Sequence, residues 1–190
     1  MSIDSHPAFS KIAPGTICAE IGTWEGASSY KILKYSGCKK LYCIDPYTRF
    51  DSKEYPDGIN ELTQSQFNQK FEDIKRRLAE FGDRVEFLRM KSSEAVKMFG
   101  DGSLDFVYID GNHDYKYVFE DIMMWYPKVK AGGYVTGDDV WSTNLSEHDA
   151  DGNVTRIWGP GCWGKYGTYK ALLDSGYTFT VKSQQFVIPK

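Results

Sequence analysis

The sequence predicts an α/β protein: a mostly parallel sheet with helices on both faces and an antiparallel hairpin at its C-terminal end. Three observations carry this. Short apolar runs alternate with amphipathic stretches along the chain, β-branched and aromatic residues concentrate in those runs, and two runs stand close together at the end. Strands separated by helices join through right-handed crossovers and therefore run parallel, covered on both faces.

In chain order, residues 17–21 form the first apolar run, and Gly22 turns it into a helical stretch over 27–35. Residues 41–44 form the second run. Phe67, Phe71, Ile74, Leu78 and Phe81 recur at alternating spacings of four and three, which is one face of an amphipathic helix. Residues 85–88 make a third run, and 93–99 a short helix. The fourth run, 104–109, is the richest in strand-forming residues. Val118, Ile122 and Trp125 mark a helix that stops near Pro127; Asp121 is expected on its solvent face. Ala131-Gly132-Gly133 turns the chain into a fifth run at 134–136, a last helix lies around 166–173, and runs at 177–181 and 186–188 make the hairpin.

The chain has 190 residues, 41% apolar and 26% charged, with a formal net charge of −3. That length suits a single domain over 1–190. The composition excludes disorder as a description of the whole chain. The mild acidity gives no footprint for nucleic acid, and no apolar run approaches the roughly 20 residues of a membrane helix. The start of the sequence lacks the apolar segment of a secretory signal. Cys18, Cys38, Cys43 and Cys162 form no C-x-x-C pair, and His is scarce, so a structural zinc site is not expected. A reduced, cytoplasmic setting follows, in which the sequons at Asn144 and Asn153 are accidental. Cys18 and Cys43, inside apolar runs, read as small core residues.

Ligands of open α/β sheets bind at the carboxyl ends of the strands. Four runs end in or near an acid there: Glu20, Asp45, Asp110 and Asp138, the last followed by Asp139. One such acid is an ordinary loop or helix-cap residue. Several on one edge repel unless a cation or a donor-rich ligand offsets them. The first turn runs Glu20-Ile21-Gly22-Thr23-Trp24-Glu25-Gly26-Ala27-Ser28. Gly22 and Gly26 suit a backbone that approaches a ligand. Trp24 stands where the dinucleotide fingerprint needs glycine, which disfavours a nicotinamide oxidoreductase. With Asp45 at the end of the second run, able to accept from two ribose hydroxyls, the turn reads as a nucleoside site.

These residues carry a resemblance. The stretch from Glu20 to Ser28, followed by Cys43-Ile44-Asp45-Pro46, resembles the S-adenosylmethionine (SAM) site of class I methyltransferases. The stretch Asp110-Gly111-Asn112-His113-Asp114-Tyr115, then Gly132-Gly133 and Asp138-Asp139, is similar to the metal-dependent O-methyltransferases of the catechol and caffeoyl-coenzyme A type and to bacterial small-molecule relatives. The resemblance covers about residues 17–141. It implies a Rossmann-like class I methyltransferase sandwich with a seven-stranded sheet. It implies a cofactor site built from Glu20, Gly22, Thr23, Trp24 and Gly26, with Ser28 on the methionine carboxylate, Asp45 on the ribose, Ser93 and Glu94 on the adenine, and Asp110 beside them. It also implies a divalent cation on Asp110, Asp138 and Asp139. His113 stands where catechol-type enzymes carry a catalytic lysine, and Asp139 where they carry asparagine.

Read as chemistry, methyl transfer from a sulfonium is an in-line displacement that needs alignment and a deprotonated nucleophile. Carboxylates are hard ligands for Mg²⁺, Mn²⁺ or Ca²⁺, and such an ion lowers a hydroxyl's pKa. Asp110 and His113 form the expected catalytic pair, with the imidazole as base; by position alone His113 reads equally as a residue at a helix start. Asp114 suits a helix N-terminus, and 149–153 a surface turn. Aromatic insertions at 47–60 and 141–167, with Tyr47, Phe50, Tyr55, Trp158, Trp163 and Tyr166, suit the wall of a pocket for a small hydroxylated acceptor. Trp158 and Trp163 suit a contact between two copies equally well. A cofactor-binding module that has lost catalysis is the non-enzyme alternative; the set Asp110, His113, Asp138 and Asp139 speaks against it.

Overall fold

The computed structural model describes residues 6–51, 58–140, 146–148, 154–157 and 167–190. Its elements alternate as expected: β1 (Ile17–Ile21), α1 (Ala27–Tyr35), β2 (Lys40–Ile44), α2 (Gln64–Arg77), β3 (Val85–Leu88), α3 (Ser92–Ala95), β4 (Leu104–Ile109), α4 (Tyr115–Trp125), β5 (Val129–Gly137), α5 (Thr168–Asp174), β8 (Thr180–Lys182) and β9 (Gln185–Pro189). Between β5 and α5, β6 (Ser146–His148) pairs antiparallel with β7 (Val154–Ile157), a small ribbon inside the second insertion that the sequence pattern does not announce.

The main sheet has seven strands in the order β3-β2-β1-β4-β5-β9-β8. The first five run parallel, and β9 is antiparallel to both β5 and β8. Period-two alternation divides the strand side chains between two cores. Cys18, Leu41, Cys43, Phe106 and Tyr108 pack with Ile32 and Leu33 of α1 and Phe67 and Ile74 of α2. Ala19, Ile21, Val107, Ile109 and Val135 pack with Val118, Ile122 and Trp125 of α4 and Ala171 and Leu172 of α5. The two-faced α/β sandwich is therefore the fold.

Several boundaries differ from the sequence pattern. The face from Phe67 to Phe81 is split: α2 ends at Arg77, and Phe81 lies in a following 3-10 turn (Ala79–Arg84). The start of α2 is fixed by a capping box in which the Thr63 hydroxyl accepts from Gln66 N–H. The helix expected at 93–99 is one α-turn continued by a 3-10 turn (Val96–Met98). The fifth strand begins at Val129, because Gly132 and Gly133 are absorbed into it beside a bulge against β4. Ahead of β1, Ala8 and Phe9 are fully buried, with Phe9 packed edge-on to Tyr108. Cys18, Cys38 and Cys43 are all buried. Among the described residues no helix is long and apolar enough to cross a membrane.

Candidate functional site at the carboxyl ends of the strands

Strand order reverses between β1 and β4, so their carboxyl ends open a crevice. Ile21, Ile44, Ile109 and Gly137 lie in register across it. Gly22 leaves β1 with its N–H on the Ile44 carbonyl at 2.9 Å, while Asp110 N–H binds the Ile21 carbonyl at 2.8 Å. At φ +85°, a Cβ on Gly22 would lie 2.1 Å from the Asp110 carbonyl oxygen and 2.5 Å from Gly111 Cα. Only glycine lets the two loops pass this closely. Gly26, at φ +72°, opens α1, and a Cβ there would meet Ile74 Cδ1 at 2.8 Å.

Glu20 points into the α1 face, where the Ser29 hydroxyl donates to its carboxylate. It is buried, and burial pushes its carboxyl up to about 8, with Asp45 adding to the rise and Ser29 opposing it. Ser28, the expected carboxylate ligand, is half-buried at the start of α1. Which of the adjacent Ser28 and Ser29 meets Glu20 is not legible in the sequence, because strand alternation does not fix the rotation of the helix that follows. Thr23 is buried, and its hydroxyl meets no hydrogen-bond partner among the described residues.

Asp45 ties two loops together. It accepts from Trp24 N–H at 3.0 Å and from Tyr47 N–H at 2.8 Å, one on each oxygen. The Tyr47 hydroxyl returns a bond to the Trp24 carbonyl at 2.6 Å. Trp24 and Tyr47 both hold left-handed backbone, φ +45° and +43°, a conformation that side-chain-bearing residues keep only when their surroundings enforce it. Each carboxylate oxygen retains a second lone pair. Burial raises the Asp45 carboxyl, opposed by the two N–H groups and by Arg89. The Trp24 ring leans on α2, edge-on to Phe67 with the Lys70 ammonium 4.4 Å from its centre.

Across the crevice, Asp110, His113 and Asp139 bring one ligand atom each to within 4.8 Å of one another. His113 Nε2 is 3.0 Å from Asp139 Oδ2, and Asp139 sits at φ +57°. Burial pushes the Asp110 carboxyl well up, followed by the charges of Glu20, Asp138 and Asp139. Asp138 is not in the group: its carboxylate accepts from the Tyr108 hydroxyl at 3.0 Å and from Asp139 N–H at 2.9 Å. Of the expected Asp110, Asp138 and Asp139, the structure brings Asp110 and Asp139 together with His113, while Asp138, next to Asp139 just past the end of β5, turns to Tyr108. The backbone around His113 is fixed on both sides. Asn112 Oδ1 accepts from Asp114 N–H at 2.8 Å, and the His113 carbonyl accepts from Gly167 N–H at 2.7 Å.

Ser93 and Glu94 lie exposed on the turn after β3, and Glu94 accepts from Lys91 N–H at 3.3 Å. Asp121 corrects another expectation. It is 7% exposed, facing Ser92 rather than solvent. Of the first insertion, Tyr47 is a buried loop brace, and Phe50 N–H binds Asn60 Oδ1 at 2.9 Å. Tyr55, Trp141, Trp158, Cys162, Trp163, Tyr166, both sequons and the turn at 149–153 lie outside the described residues.

Residues 19–140 match the profile of the family described as "Methyltransferase domain". An uncharacterised protein of Acanthamoeba polyphaga mimivirus is 29% identical over 162 residues, covering 80% of this chain and 63% of that protein. The chain thus spans less than two thirds of this curated relative. Among solved structures, a Corynebacterium glutamicum protein superposes with a TM-score of 0.62 at 15% identity, covering 100% of this chain and 81% of that one. A geranyl diphosphate methyltransferase in complex with SAM gives a TM-score of 0.59 at 13% identity, over 94% of this chain and 65% of that one. At these identities the superpositions speak for the fold.

Proposed function

The chain belongs to the methyltransferase-domain family, and from that premise we propose that it is a SAM-dependent methyltransferase acting on a hydroxyl of a small molecule with the help of a divalent cation. One observation carries the reading: the Gly22 turn, tied to Asp45 through Trp24, and the Asp110–His113–Asp139 group stand side by side at the carboxyl ends of β1 and β4.

The residues fit both groups. The Gly22 loop and the second lone pairs of Asp45 suit a nucleoside with two ribose hydroxyls, with Glu20, Thr23, Trp24, Gly26 and Ser28 forming the loop's walls and the start of α1. When bound, SAM supplies a sulfonium methyl that an oxygen nucleophile takes in line as the carbon–sulfur bond breaks. The Asp110 and Asp139 carboxylates suit a divalent cation, Mg²⁺ or Mn²⁺ ahead of Ca²⁺ since two protein donors leave positions for other ligands. Such an ion lowers the pKa of a hydroxyl it binds. Asp110 and Asp139 would hold it. Asp138 orients Asp139 through its backbone N–H. His113 accepts the hydroxyl proton, and the imidazolium so formed has the Asp139 carboxylate beside it as counter-charge. Gly167 and Asn112 fix the loop that carries the ring.

The test is methyl transfer from labelled SAM to a panel of small catechols, sugars and phenols, with and without chelator. Transfer that falls in chelator and returns with Mn²⁺ is expected. Full transfer in excess chelator would remove the cation from the reading and leave Asp110 and Asp139 as ligands for the acceptor's polar groups.

A further inference from the structure

The turn that follows β3 starts at the same carboxyl edge of the sheet, next to Asp45. The Leu88 carbonyl at its root accepts both from Asp45 N–H at 3.3 Å and from Met90 N–H at 2.9 Å. The exposed Ser93 and Glu94 occupy its outer side. Its inner side is held from α4. Trp125 Nε1–H donates to Ser92 Oγ at 2.7 Å, and Ser92 Oγ donates to Asp121 Oδ1. Asp121 and Trp125 are one helical turn apart, so they present to Ser92 from the same face. An indole N–H can only donate, so the Ser92 oxygen accepts from it while the Ser92 hydroxyl serves Asp121. Trp125 is fully buried and Asp121 nearly so, while the anchors cost burial of a carboxyl that the strand-end chemistry does not use. A buried carboxyl whose hydrogen-bond partner lies on that turn suits a positional task.

Resting on the cofactor reading above, we propose that Asp121 is a positioning residue for purine recognition: through Ser92 it fixes the turn Lys91–Ala95 so that the turn reads the adenine of the cofactor. Neither Asp121 nor Trp125 touches the cofactor in this account. Their effect is on where the turn's backbone and the Ser93 and Glu94 side chains stand. What Asp121 must supply is an acceptor, and asparagine supplies one too.

Calorimetric titration with S-adenosylhomocysteine and S-inosylhomocysteine, which differ only at the purine edge, tests this. The wild-type protein should favour the adenosyl compound. Ser92→Ala and Asp121→Leu should bind it about tenfold more weakly, the scale of one lost or misplaced hydrogen bond, and should bring the ratio between the two compounds toward one. Asp121→Asn should keep both affinity and ratio. Should Asp121→Leu fail to fold, Ser92→Ala, a one-atom deletion on the turn, decides. Wild-type binding with an unchanged ratio in Ser92→Ala would overturn the inference while leaving the cofactor reading intact. Equal losses in Asp121→Asn and Asp121→Leu would overturn the relay. No binding of either compound by the wild-type protein would overturn the cofactor reading and the inference with it.

Discussion

His113 is a residue whose role the sequence left even between a helix start and a base. Its spacing from Asp110 is compatible with both, and what favours the base is Asp139, 26 positions downstream just past the end of β5 and 3.0 Å away in space. The imidazole faces the Asp139 carboxylate. Removal of a general base typically costs about 10²–10⁴ in rate. His113→Ala should therefore lower turnover on that order, measured at saturating SAM and acceptor, with S-adenosylhomocysteine affinity nearly unchanged. Near-normal turnover would return the residue to a structural part in the loop.

Glu20 makes a second residue-scale prediction. Its carboxyl is pushed from an ordinary 4.5 up to about 8 in the folded chain. Between those pH values the folded protein holds a proton that the unfolded chain releases, so stability falls as pH rises through the window. Asp121, pushed to about 7 by burial, acts in the same direction from 3.8 upward. Glu20→Gln, which keeps an acceptor for Ser29, should lose its share of the decline. Its thermal midpoint should gain on the wild type by an amount worth several kcal/mol between pH 5 and pH 8. An identical pH dependence in both proteins would mean that Glu20 stays ionised in the fold.

At the scale of elements, helices and strands were legible where periodicity was strong, and the losses have local causes. The α2 face was read through Phe81 because a 3-10 turn preserves the burial of that ring while the α-helix has already ended. The ends of β5 were misplaced because paired glycines signal a turn, whereas here a bulge takes them into the strand. Asp121, expected on the solvent face, lies on the inner face that its helical spacing to Val118 and Trp125 defines. The start of α5 carries a constraint no pattern shows. A Cβ on Gly167 would lie 2.2 Å from Tyr115 N and 2.3 Å from Tyr115 Cα, and its N–H holds the His113 carbonyl. Gly167→Ala should destabilise the fold by roughly 1–3 kcal/mol in chemical denaturation. It should also reduce turnover more than cofactor affinity. Wild-type stability and turnover together would show that α5 does not brace the His113 loop.

For the whole molecule, the mostly parallel sheet with its antiparallel hairpin and the acids at its carboxyl edge followed from alternation, while the strand order that opens the crevice between β1 and β4 came only with the structure. The acids gathered at the crevice were legible as a group, but their division of labour was not. Asp138 and Asp139 are neighbours in sequence, yet one is bonded to Tyr108 and the other faces His113. Gly22 was read as a place for a ligand to approach, and the structure shows a second demand on it, the passage of the Asp110–Gly111 backbone. Both demands meet at the junction of the two halves of the site, which is where the account is most exposed. The direct measurement is calorimetric titration of the wild-type protein with S-adenosylhomocysteine and, separately, with NAD. The account predicts saturable one-to-one binding of S-adenosylhomocysteine and no heat with NAD. Saturable binding of NAD, with no response to S-adenosylhomocysteine, would contradict it.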